Sequence, residues 1–113
     1  MFNPLSVTLS ITGIVLFLSG LILYRKPPAR INWFYGYRTS ASMRSQERWN
    51  FAQAEGARAI MQAGGILTLL AIPCLFWWPV PAYGLFLAIL ALVAAVVFVF
   101  WKVQGRLRKK FGP

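Results

Sequence analysis

Side chains able to do acid–base or nucleophilic chemistry are scarce in this chain. Among 113 residues there are two carboxylates, Glu47 and Glu55, one thiol, Cys74, and no histidine. Eight residues on one helix would separate the carboxylates by about 12 Å, beyond the roughly 5–9.5 Å at which paired carboxylates cleave glycosides. Cys74 has no basic neighbour to make it a thiolate and no second cysteine to pair with. Without histidine the common zinc and haem ligand sets are missing, and no glycine-rich phosphate loop of the usual spacing occurs. These residues predict no enzyme and call for no cofactor or metal.

What remains is binding chemistry, carried by cations and aromatic rings. Arg and Lys number 12 against two acids, a net charge of +10, in a chain that is 58% hydrophobic and 16% aromatic. A soluble fold this short has too small a core to hide so much apolar surface. The apolar residues also come in long runs without a charge, which makes the bilayer the sink.

Three such runs position everything else. In Leu5 to Tyr24, 12 of 20 residues are Leu, Ile, Val or Phe. Insertion of that run gains roughly 5 kcal/mol before polar costs, and 20 helical residues cross about 30 Å of hydrocarbon. Asn3-Pro4 opens it and Pro27-Pro28 bars its continuation. With no basic residue ahead of it and Arg25-Lys26 directly behind, it reads as a retained span rather than a signal peptide. Ala59 to Trp78 is a second run, weakened by Gln62, Gly64, Gly65, Thr68 and Pro73, and Ala82 to Trp101 is a third. The prolines of Trp77-Trp78-Pro79-Val80-Pro81 predict a tight turn between two antiparallel helices. Trp77, Trp78 and Tyr83 fall where one interfacial aromatic belt belongs, and Tyr24 and Trp101 where the other does. The expected fold is therefore an all-α integral membrane protein, a single membrane domain over residues 1–113.

The cations orient it. Seven lie in the loop 25–58 and five in the tail 102–113; the amino terminus and the proline turn hold none. The positive-inside rule places the loop and tail in the cytoplasm and the amino terminus outside. Their partner is then the anionic headgroup layer, which accounts for the basic excess without nucleic acid.

The loop is too long to be only a connector. Its first part, Ile31 to Thr39, sets Trp, Phe and Tyr beside Arg, which suits the headgroup layer. A helix is expected from Ser45, a good N-cap, with Glu47 in the first turn. Trp49, Ala52, Gly56, Ala59 and Ala63 recur on one face; Arg48, Glu55 and Arg58 are expected on the opposite face. This amphipathic helix either lies on the cytoplasmic surface or leads straight into the second span. Within the spans, Thr8, Thr12 and Gln62 either bond between helices or form an intramembrane polar site.

The stretch Asn32-Trp-Phe-Tyr-Gly36-Tyr37-Arg38-Thr39, then Ser42-Met43, then Gln46-Glu47-x-Trp49-x-x-Ala52-Gln53, resembles the SdpI family of bacterial membrane proteins. The layout, one span, a loop and a hairpin of two spans, matches over roughly residues 15–100. The family's namesake has additional spans before this unit. The resemblance implies immunity against a secreted toxic peptide in the bacterial inner membrane, and signalling through a cytoplasmic regulator held at the membrane. It carries Asn32, Gly36, Arg38, Thr39, Ser42, Trp49 and Ala52 over as binding residues. They either dock the loop onto the helix ends, with Asn32 and Thr39 as caps and Arg38 on a carbonyl terminus, or contact the partner. Alternative functions are an accessory subunit of a larger membrane complex and, ranked last, a small transporter or channel built by a homo-oligomer.

Overall fold

The computed structural model describes residues 3–77, 79 and 81–112. Three helices run in the order α1 (Pro4–Arg25), α2 (Gln46–Leu75) and α3 (Gly84–Phe111), and each is long and apolar enough to cross a membrane. No strand occurs among the described residues. The chain is a multi-pass membrane protein. Ile11, Ile14, Leu18, Ile66, Leu69, Phe86, Leu90 and Val93 all face outward, as lipid-facing side chains do.

Local chemistry sets the helix ends. Asn3 caps α1: its Oδ1 accepts from the Ser6 N–H at 2.7 Å, and Pro4 takes the first position, where its missing N–H costs nothing. The same side chain spans to the next helix, its Nδ2 donating to the Cys74 carbonyl at 2.7 Å. One buried asparagine thus serves the start of α1 and the end of α2. Ser45 caps α2 by accepting from the Arg48 N–H at 3.1 Å, and Glu47 sits in the first turn.

Residues 46–75 form one helix of 30 residues, so the segment after Ser45 runs on into the second span. At about 45 Å it outreaches the hydrocarbon. The expected division of its faces needs a correction. Glu55 does not lie opposite the packed face; it is buried, with Oε2 3.0 Å from Arg106 of α3 and Oε1 3.4 Å from Arg58. The expected basic tail is also helical, forming the last turns of α3 with Val103 and Leu107 wholly buried. At this end α3 adds a third wall around α2, so a carboxylate on that side meets cations instead of water. Trp78 and Val80 of the expected turn and belt lie outside the described residues; Trp77 and Tyr83, at that end, and Tyr24 and Trp101, at the other, are exposed.

The tightest packing is between α1 and α2. A Cβ placed on Gly64 would come within 2.6 Å of the Gly13 carbonyl oxygen and 2.9 Å of Phe17 Cα; one on Gly13 would meet the Thr68 nitrogen at 2.7 Å. Backbone packed on backbone leaves no rotamer to yield. Gly64→Ala and Gly13→Ala should each destabilise the purified protein by about 1–3 kcal/mol or more. Gly65→Ala, with nothing within 4 Å of the new carbon, should be neutral or stabilise by up to about 1 kcal/mol. Unfolding in detergent with SDS or heat measures both, and equal effects at Gly64 and Gly65 would refute the close approach.

Candidate functional site

The loop 26–45 folds back over one end of the bundle, and the most enclosed of its anchors is one amide. Gln53, on α2 and 1% exposed, accepts from the Tyr37 N–H through Oε1 at 2.7 Å and donates from Nε2 to the Tyr37 carbonyl at 2.8 Å. The side chain pairs with the Tyr37 peptide groups as a neighbouring strand would. Gly36 precedes this pair at φ +105°, against Gln53 Oε1, where any side chain would be both strained and displaced.

Further bonds tie the loop to all three helices. The Tyr37 hydroxyl donates to Gln104 Oε1 of α3 at 2.9 Å, and the Thr39 hydroxyl donates to the same oxygen at 3.0 Å. The Tyr37 ring packs on Phe100, centroids 5.5 Å apart. The Tyr35 hydroxyl donates to the Lys26 carbonyl at the end of α1 at 2.8 Å. Trp49, wholly buried, donates from its indole to the Pro28 carbonyl at 2.9 Å, and Gln46 donates to the Ala29 carbonyl at 2.7 Å. Arg48 Nη2 reaches the Phe111 carbonyl at 3.3 Å, near the negative end of α3. Burial pushes the Tyr37 phenol well above its usual range, so it remains a donor.

The motif residues fall into two groups. Asn32 folds the loop tip on itself, Oδ1 accepting from the Phe34 and Tyr35 N–H groups at 2.9 and 2.8 Å and Nδ2 donating to the Arg30 carbonyl. Ser42, fully buried, accepts from the Thr39 N–H at 2.9 Å, and Ala52 packs in the core beside Tyr37. Ser42 and Ala52 form an interior frame with Gly36, Thr39 and Trp49, and Asn32 closes the tip outside it. Arg38 is different: it is exposed, and its guanidinium donates to the Trp33 carbonyl of its own loop rather than to a helix terminus. Trp33 and Phe34, at the tip, are 75% and 91% exposed.

The intramembrane candidates do not converge. The Thr12 hydroxyl donates to the Thr8 carbonyl one turn back in α1, at 2.7 Å. Gln62 lies about midway along α2, where it accepts from Lys102 of α3. Three residues that matter were not singled out by type. Gln53 was visible only as the last letter of the motif; Gln104 was hidden among the cations of α3; Asn3 looked like a helix start alone.

The SdpI/YfhL protein family model matches residues 29–102. A relative in Bacillus subtilis (strain 168), described as uncharacterized protein YfhL, is 30% identical over 97 residues, covering 85% of this chain and 82% of its own. No solved structure matches at a significant level.

Two outcomes follow from the frame. Gln53→Ala strands two peptide groups at about 1–3 kcal/mol each, so hydrogen exchange at the Tyr37 amide should rise roughly 30-fold or more; unchanged exchange would remove Gln53 from its role. The difference in phenolate absorbance between wild type and Tyr37→Phe should show no step up to pH 10. Because the folded-state pKa is raised, the phenol's contribution to stability is complete below about pH 10 and is lost as pH climbs beyond it. A step near pH 10 would contradict burial.

Proposed function

The chain belongs to the SdpI/YfhL protein family, and from that premise we propose that it protects a bacterial cell by binding a membrane-active peptide at the exposed tip of its 26–45 loop. The observation that carries this reading is the contrast within the motif. The Tyr37 peptide, Ser42 and Trp49 are hydrogen-bonded inside the frame, while Trp33, Phe34 and Arg38 stand outward on it. Exposed aromatic rings beside a cation suit an amphipathic peptide lying in the headgroup layer of the leaflet that the tip faces, which a secreted peptide reaches after crossing the bilayer. The role is binding without chemical transformation.

The same reading places the protein in the bacterial cytoplasmic membrane. Both basic stretches meet at one end of the bundle: Arg106 contacts Glu55, Lys102 contacts Gln62, and Arg48 contacts the end of α3. By the positive-inside rule that end is cytoplasmic and the amino terminus is outside. Anionic headgroups then surround Arg25, Lys26, Arg30 and the cations of α3. This placement also favours a second partner, an acidic cytoplasmic regulator recruited by the tip. Service as an accessory subunit, or in a homo-oligomer, would use the lipid-facing sides of the helices instead.

Expression of the chain in a bacterium sensitive to membrane-active peptides should raise survival at least about tenfold for a peptide it recognises. Trp33→Ala with Phe34→Ala should abolish that protection at unchanged membrane abundance. Killing that proceeds undiminished across a panel of such peptides, despite confirmed membrane expression, would defeat the immunity reading.

A further inference from the structure

We propose that the groove beneath Arg38 is a binding site for one anionic phospholipid, with its phosphate on Arg38 and an acyl chain between the helices. The cavity measures about 300 Å³, at the lower end of the range for small-molecule sites. Leu16 of α1, Ile60 of α2 and Ala95, Val96 and Val99 of α3 wall it, and Gly36 to Arg38 close its loop end. The wall is apolar and the cation stands at the rim, which is the polarity of a lipid.

Depth supports the same occupant. The Tyr35 hydroxyl on the Lys26 carbonyl fixes the loop at the end of α1. From Arg25 down to Leu16 is nine helical residues, about 13 Å, close to the thickness of one hydrocarbon leaflet. The groove therefore extends from headgroup level through most of a leaflet.

Charge selects the headgroup. Of the two acids, Glu55 is held by Arg58 and Arg106, and Glu47 lies in the first turn of α2. Among the described residues Arg38 enters no ion pair and gives one bond, to the Trp33 carbonyl. A guanidinium has five N–H donors in a fork that matches phosphate oxygens, so donors remain for a lipid phosphate. The site shares Arg38 with the peptide-binding reading but not Trp33 or Phe34, so the groove-filling variants test the lipid site while Trp33→Ala with Phe34→Ala tests the other reading.

Native mass spectrometry of the purified full chain, delipidated and titrated with palmitoyl-oleoyl phosphatidylglycerol, tests the proposal. One adduct should form first and be retained longest. Arg38→Gln should weaken it roughly tenfold or more through loss of a charge-assisted bond. Val96→Phe, or Ile60→Phe if that variant fails to fold, should weaken it comparably by filling the groove. Arg108→Gln, a change of equal charge on an exposed residue of α3, should leave it unaltered, and millimolar inorganic phosphate should not displace it. Equal stepwise adducts on every variant would mean annular lipid only. Loss with Arg38→Gln but none with the groove-filling variants, or displacement by phosphate, would mean headgroup attraction alone. A dimer forming in place of the adduct would mean that a second copy covers the groove. Each of these three results overturns the site.

Discussion

Twenty residues between α1 and α2 lie across the end of a bundle that is apolar on its outside. Their peptide groups need partners wherever the chain is shielded from water, since an unmet buried donor or acceptor costs about 1–3 kcal/mol. The Gln53 amide meets that requirement at the most enclosed point by taking both polar groups of Tyr37. Everything else at this end follows from where that pair sits. Gly36 must have no side chain because Gln53 occupies the space, and Tyr37 must point along α3 because its backbone faces α2. Gln104 is then the acceptor within reach of both hydroxyls. Among the described residues no buried side-chain nitrogen or oxygen is left without a partner.

At the other end the same economy of polar contact recurs with fewer residues. Asn3 replaces a loop: one amide bonds forward into α1 and across to the carbonyls at the end of α2. Between the ends, where hydrocarbon offers no hydrogen bond and no hydrophobic drive between helices, association relies on close packing. Gly13 and Gly64 supply it by letting two backbones touch. Hydroxyls in the spans, such as Thr12 and Thr68, bond to the preceding turn of their own helix instead of to a neighbour.

The spans were legible because their signal is additive: twenty uncharged apolar residues outweigh any single exception. Placement of the cations at one end was legible for the same reason. The faces of α2 were not. Glu55 reads as solvated from its own helix, where Arg58 is one turn away, and only the extension of α3 to Phe111 encloses it. That extension was itself masked, since Arg106, Arg108, Lys109 and Lys110 resemble a free tail unless Val103 and Leu107 are seen to share a buried stripe. The frame was legible as a motif but not as a mechanism. Nothing in sequence spacing says that Gln53 bonds to a peptide 16 residues earlier, or that Gln104 receives two hydroxyls from 65 and 67 residues away.

The division within the motif bears on how such a site can evolve. Ser42, Trp49, Ala52 and Gln53 are at most 1% exposed, so a partner could reach them only after the loop had come off the bundle. Detaching it would break the bonds of Tyr37, Thr39 and Trp49 together, at about 1 kcal/mol or more each, a large fraction of the stability of a small domain. On the proposed function, recognition falls to the side chains that the frame displays and does not use. Trp33 and Phe34 project beyond a tip already closed by Asn32, and Arg38 commits one bond to its own loop. Side chains can change at these positions with little effect on the fold, whereas the interior residues tolerate change only as far as Tyr37 keeps its partners. On that reading, one set of residues holds the surface in place and another chooses what binds to it.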